Sequence, residues 1–132
     1  MIIGLGIDLA EVEPWAQALA HPSAAALAGT FTALEREQAA GGPVDEAQRL
    51  AARFAAKEAF LKALDGAGWG APPLRAGLDL REVEVRLDPW GRPRLCLHGE
   101  ARAAAEQAGV RVAHLSLSHE RGMALATVLL EG

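Results

Sequence analysis

The sequence predicts an α+β fold with a mainly antiparallel sheet packed around a long central helix. Three observations predict it. Residues 2–9 alternate apolar side chains with glycines and a carboxylate, which is the period of a strand. A helical pattern holds about 46–64. Short alternating segments joined by glycine- and proline-containing turns fill the C-terminal half. No internal repeat or interdomain linker interrupts the 132 residues, so 1–132 reads as one domain.

The elements follow in order. In the first strand Ile3, Leu5, Ile7 and Leu9 share one face; Gly4, Gly6 and Asp8 share the other. Alanine-rich helices are expected at about 13–20 and 23–28. Thr32 and Glu35 have the spacing of a capping box opening a short helix, which Gly41-Gly42-Pro43 ends. Asp45 caps the long helix. Residues 65–77, with four glycines and two prolines, read as a loop. Val83, Val85 and Leu87 alternate with charges on a strand, and the turn Asp88-Pro89-Trp90-Gly91-Arg92-Pro93 leads to a returning strand with Leu95 and Leu97. A helix of about 99–108 stops at Gly109. Strands of about 111–118 and 123–130 close the chain, joined through His119-Glu120-Arg121-Gly122.

Composition excludes several function classes. A net charge of −4 argues against a nucleic-acid protein, which shows a basic face. A lone cysteine, Cys96, rules out an internal disulfide framework and cysteine-based zinc sites; its leucine neighbours predict a packed thiol. The N-terminal apolar run is too short for a signal peptide. No run approaches the roughly 18 residues of a membrane helix, so a cytoplasmic protein without a membrane partner is expected. There is no P-loop, G-x-S-x-G or H-E-x-x-H. Apolar content of 51%, rich in alanine, leaves room for a surface shared with another subunit.

The segment Arg53-Phe54-Ala55-Ala56-Lys57-Glu58-Ala59-Phe60-Leu61-Lys62 holds both lysines of the chain. On a wheel of about 100° per residue, Leu50, Phe54, Leu61 and Leu64 form an apolar stripe. Glu58 lies at its edge and Lys57 within it. Lys62, four residues after Glu58, makes a simple helix-surface pair one reading. Lys57 needs an anion or a route to water. Asp8 raises a similar question: it either caps the next helix or joins a site. Gly4 and Gly6 let a ligand or another helix approach the backbone beside it. Two carboxylates do not make a calcium cage. They suit Mg2+, which keeps waters and takes phosphate oxygens from a substrate. Near the C-terminus His114, Ser116 and Ser118 alternate with apolar residues, as on a solvated strand face.

Together, Gly6-Ile7-Asp8 near the start, Phe54-x-x-Lys57-Glu58-x-x-x-Lys62, the turn Gly91-Arg92-Pro93 and the terminal His114-Leu115-Ser116-Leu117-Ser118-His119 resemble holo-acyl-carrier-protein synthase, the small bacterial type of 4′-phosphopantetheinyl transferase. The matches are collinear and cover most of the chain. The resemblance implies the transferase fold and a homotrimer with sites between subunits. It also implies Mg2+-dependent transfer of phosphopantetheine from coenzyme A to a serine of apo acyl carrier protein, with release of adenosine 3′,5′-bisphosphate, serving fatty acid biosynthesis.

By the same resemblance Asp8 and Glu58 hold the metal, and Glu58, Asp8 and Lys62 are the catalytic set. Arg53, Lys57, Lys62, Gly66, Gly91, Arg92, Pro93, His114 and Ser116 bind coenzyme A, the last two from a neighbouring subunit. Two departures stand out. The glycine loop after the long helix lacks the usual threonine. The first helix carries Glu11, Glu13 and Pro14 where relatives present arginines to an acidic carrier, so Trp15 and Leu19 are read as docking contacts or as core. A second reading of the whole chain is a coenzyme A- or carrier-binding module without activity.

Overall fold

A computed structural model describes residues 1–41, 45–73 and 77–132. The chain order is β1 (Ile2–Glu11), α1 (Glu13–Ala20), α2 (Ala25–Thr30), α3 (Ala33–Ala40), α4 (Glu46–Ala67), a 3-10 turn (Leu80–Glu82), β2 (Val83–Leu87), β3 (Pro93–Leu97), α5 (Gly99–Gln107), β4 (Val112–Glu120) and β5 (Met123–Glu131). The antiparallel α+β prediction holds. Part of the stop expected at Gly41-Gly42-Pro43, and residues 74–76 of the expected loop, lie outside the described residues.

The strands form two antiparallel sheets, β1-β5-β4 and β2-β3. Helix α4 packs chiefly on β1 and β5. It is buried on more than one stripe: Leu50, Ala51, Ala55, Ala56, Ala59, Phe60, Ala63 and Leu64 are all inaccessible. Small alanines let neighbours close on every side, which a wheel read from large side chains alone understates. The helix also runs through Ala67, so Asp65 and Gly66, expected in the loop, are helical.

The two faces of β1 are distinguished by what packs on them. A Cβ at Gly6 would collide with the carbonyl oxygen of Ala59, and one at Gly4 with that of Ala63. The glycine face is therefore the inner one, pressed on α4. Leu5, Ile7 and Leu9 point outward and are 63%, 56% and 61% exposed. The ladder extends this row across the sheet: Leu5 faces Leu129 and then His114, Ile7 faces Thr127 and then Ser116, Leu9 faces Leu125 and then Ser118.

Other local predictions hold or shift. Thr32 and Glu35 form the reciprocal capping box. Asp45 caps α4 by accepting from Ala47 N. Gly109 adopts φ +82 just after α5. The β4–β5 turn is shorter than expected, because His119 and Glu120 are still paired with β5; only Arg121 and Gly122, both at positive φ, lie between the strands. That is the signature of a two-residue hairpin turn. Glu84 departs from simple alternation: it is buried and accepts hydrogen bonds from Thr32 Oγ1 at 2.6 Å and Arg86 Nε at 2.7 Å. Trp15 meets Phe31 edge-on and Phe54 at a tilt, with centroid distances of 5.0 and 5.2 Å, and is half-buried against that cluster.

Candidate active site

The predicted site residues fall into two groups. The first lies beside β1, a free edge of its sheet. Asp8 is two residues beyond Gly6 on the same inner face. Lys62 reaches across from α4, its ammonium 3.0 Å from Asp8 Oδ1 and 3.0 Å from the Ile7 carbonyl oxygen. Glu58 is one turn earlier on the same side of α4 and adjoins Ala59, the residue that meets Gly6. Lys62 therefore pairs with Asp8, and the simple i,i+4 pair with Glu58 is not formed. Half-buried Glu58 has no hydrogen bond or ion pair among the described residues.

This arrangement can be tested against a divalent cation. Asp8 Oδ2 and both Glu58 oxygens are without hydrogen-bond partners among the described residues. No cluster of three or more His, Cys, Asp or Glu occurs among them. Two carboxylates with the remaining positions open suit Mg2+ completed by phosphate oxygens and water, and do not suit Ca2+.

The second group lines a cavity of about 400 Å³ beside β4, across the sheet from the first. Arg49 and Arg53 of α4, Gly91 and Pro93 of the β2–β3 turn, and Ser116 and His119 of β4 converge there. Arg53 is only 3% exposed. Its Nη1 donates to the Arg49 carbonyl at 3.1 Å, while Nε and Nη2 are buried without partners. Burial holds this guanidinium below its ordinary pKa; the charge of Glu35 opposes the shift and that of Arg49 adds to it. Two unpaired N–H groups on a buried arginine in the cavity wall leave a positive charge there that an anion would offset. Arg49 and His119 were missed as members of this cavity. The helical spacing of Arg49 and Arg53 was the available signal.

Several expected members stand elsewhere. Lys57 is corrected most sharply. It is wholly buried and its ammonium donates to Glu35 Oε1, Leu80 O and Val83 O, each at 2.8 Å. All three protons are used, so its anion is Glu35 and none is left for a phosphate. Burial lowers its pKa, and the adjacent Glu35 works against that shift. Arg92 is bound to Asp88 at 2.6 Å and lies over the Trp90 ring at 5.5 Å, outside the cavity lining. His114 contacts Glu131 at 3.2 Å on the outer sheet face. Gly66 is in the last turn of α4 with open space around it.

Residues 4–127 match the model of the 4′-phosphopantetheinyl transferase superfamily. The chain is 46% identical over 131 residues to a holo-[acyl-carrier-protein] synthase of Streptomyces coelicolor, covering 99% of this chain and 98% of the relative. Among solved structures, the apo form of an ACPS from Chronobacterium ammoniagenes superposes with TM-score 0.83 at 37% identity, covering 96% of this chain and 94% of that one. The complex of that enzyme with CoA gives 0.81 at 35% identity, covering 96% and 95%. With the family model matched over residues 4–127 and the relatives covered almost end to end, the chain belongs to the 4′-phosphopantetheinyl transferase superfamily.

Proposed function

We propose that this chain is a holo-acyl-carrier-protein synthase, transferring phosphopantetheine from coenzyme A to a serine of apo acyl carrier protein in the cytoplasm, for fatty acid biosynthesis. The observation that carries the reading is the pairing of Lys62 with Asp8 beside the unpartnered carboxylate of Glu58. In the reaction the serine oxygen bonds to the β-phosphorus of coenzyme A. The bond from that phosphorus to the bridging oxygen breaks, and adenosine 3′,5′-bisphosphate leaves.

The chain's own residues have three tasks. Glu58 accepts the serine proton. Lys62 supplies positive charge to the diphosphate, as a compact point donor. Arg49 and Arg53, both in the cavity lining, supply positive charge to a phosphate of the donor. Asp8 and Glu58 would hold Mg2+, which when bound neutralises charge on the diphosphate. Positioning and charge neutralisation are the main means of catalysis in phosphoryl transfer.

The two groups of residues lie toward opposite edges of one sheet, which supports a site completed between copies. A head-to-tail contact bringing the β1 edge of one copy to the β4 side of the next joins carboxylates to arginines, and such a contact can close into a ring. The outward row of Leu5, Ile7, Leu9, Leu125 and Leu129 supplies apolar surface for it. The proposed assembly is the homotrimer of the resembled family, with His114 and Ser116 on the joining face.

Mass spectrometry tests the activity. Apo acyl carrier protein incubated with the chain, coenzyme A and Mg2+ should gain one phosphopantetheine, and a chelator should stop the gain. Absence of any gain across several carriers, with coenzyme A still bound, would leave a binding module without activity.

A further inference from the structure

The cavity that holds Arg49 and Arg53 has two facing walls. One is α4, which carries the arginines. The other is the end of β2 with the β2–β3 turn, which supply Leu87, Gly91 and Pro93. A cavity shaped for one ligand needs its walls held at a fixed separation by residues behind them.

The turn is tied within itself. Asp88 Oδ1 accepts from Trp90 N and from Arg92 N, each at 2.9 Å, and Asp88 N donates to the Arg92 carbonyl at 3.0 Å. These bonds fix the shape of the turn but not where it stands relative to α4. That is decided at Leu87, the last residue of β2.

Strand β2 has β3 on one side and no strand on the other. Polar side chains at the start of α3 and along it cover the open edge. Thr32, Glu35 and Gln38 recur every three residues, which keeps them on one side of a helix. Thr32 Oγ1 donates to Glu84 Oε2 at 2.6 Å, Glu35 Oε2 accepts from Val85 N at 3.0 Å, and Gln38 Oε1 accepts from Leu87 N at 3.1 Å. Alternate residues of a strand present their N–H groups on the same edge, so this row meets Val85 and Leu87 in turn. It ends at Gln38, where β2 gives way to the turn.

Gln38 also has a second hold. Its main-chain carbonyl accepts from Arg49 Nη1 at 3.3 Å. That carbonyl belongs to the last turn of α3, where a helix leaves its C=O groups without helical partners and favours a cation. The Arg49 carbonyl in turn accepts from Arg53 Nη1 at 3.1 Å. Gln38 lies outside the cavity lining, yet it grips Leu87 of one wall through its amide and Arg49 of the other through its backbone.

We propose that Gln38 is a positioning residue for the donor: it sets the separation between the arginines and the β2–β3 turn, and through it the affinity for coenzyme A. The proposal rests on the transferase reading, which brings a donor phosphate to Arg49 and Arg53.

The test is Gln38→Met, which keeps the length of the side chain and removes the acceptor for Leu87 N. Coenzyme A binding is measured by calorimetry in the parent, Gln38→Met, Arg53→Met and the double variant. Gln38→Met should bind coenzyme A several-fold more weakly, with kcat at saturating coenzyme A and carrier KM unchanged. In the Arg53→Met background the same change should cost much less, because the cavity's grip on the donor is already lost. If circular dichroism shows Gln38→Met unfolded, Gln38→Ser, two atoms shorter, takes its place with the same expectation. Unchanged coenzyme A affinity overturns the proposal even if the melting temperature falls, since Gln38 is then a structural contact alone. Full additivity with Arg53→Met overturns it, and so does a fall in kcat together with a rise in carrier KM, which is general loosening. A parent chain that binds no coenzyme A sinks the transferase reading and the proposal with it. A parent that binds coenzyme A, and is weakened by Arg53→Met but not by Gln38→Met, sinks the proposal alone.

Discussion

The ammonium of Lys57 and the carboxylate of Glu35 meet at 2.8 Å with both side chains fully buried. Glu35 does three things at once. Its Oε1 accepts from Thr32 N at 3.0 Å, its Oε2 accepts from Val85 N at 3.0 Å, and it neutralises Lys57. Helices α3 and α4 and strand β2 are thus tied at one point, one residue before Glu58. Removing one member of a buried pair leaves an uncompensated charge and costs about 3–5 kcal/mol. Lys57→Met should therefore lower stability by that order in chemical denaturation. Adding Glu35→Gln should restore part of the loss, because the stranded charge is removed. If Lys57→Met instead kept full stability and lost only coenzyme A affinity, Lys57 would be a phosphate ligand after all.

A pH dependence follows from Glu84. Burial pushes its pKa up, but hydrogen bonds from Thr32, Arg86 and His98 outweigh that and hold it below the ordinary value. A carboxylate whose folded pKa is lowered stabilises the fold fully above its unfolded pKa, about 4.3. That contribution is lost as pH falls through the lowered folded value. Glu84→Gln should be less stable than the parent at neutral pH. Its stability should also fall less steeply on acidification below about pH 5. Parallel acid profiles for the two proteins would remove Glu84 from the account.

Gly6 controls how closely β1 approaches α4, and hence how Asp8 meets Lys62. A Cβ there strikes backbone, the Ala59 carbonyl oxygen, which cannot rotate away. Gly6→Ala should therefore be among the most damaging single changes in the chain, lowering Tm and activity together. Gly29→Ala is the control, since a Cβ at Gly29 meets nothing within 4 Å. Equal melting temperatures for the two variants would contradict the packing described.

The contrast between these residues shows what the sequence made legible. Strand periods, the Thr32–Glu35 capping box and the Asp45 cap depend on neighbours in the chain, and they were readable. The partner of Lys57 was not, because Glu35 lies 22 residues away and had already been accounted for as a cap. Likewise the alternation in β1 revealed two faces but not which one is inward. Large aliphatic side chains argue for burial, yet here the close approach of helix and strand needs the glycines inside. The leucine and isoleucine face is left for a neighbour. Arg53 was found by resemblance, while its unpaired N–H groups became visible only with the cavity around it.

Glu58→Gln tests the chemistry most directly. The amide preserves shape but removes the charge needed for a cation and for the serine proton. Glu58 is half-buried and without a partner among the described residues, so stability should change by less than about 0.5 kcal/mol. Activity should fall by at least about 100-fold, the range of a lost general base. Full activity at saturating Mg2+ would deny Glu58 either role.

The division of the site between the β1 and β4 edges of the sheet gives the last prediction. Glu58→Gln disables the β1 side, and Arg53→Met disables the cavity beside β4. Each variant alone should be nearly inactive. When the two are mixed and allowed to exchange subunits, some contacts will join an intact β1 side on one chain to an intact cavity on the other, and activity should return. If each chain instead builds its whole site alone, mixing two disabled chains restores nothing. Exchange must be shown independently, for example by native mass spectrometry of differently tagged chains. A third variant, Ile7→Asp, places a charge in the exposed row that continues through Thr127 to Ser116. It should dissociate the assembly in sedimentation and abolish the recovery, although Ile7's outward side chain makes no part of the Asp8–Lys62 pair. Recovery that survived dissociation would exclude a shared site, and a fully active monomer would exclude the proposed assembly.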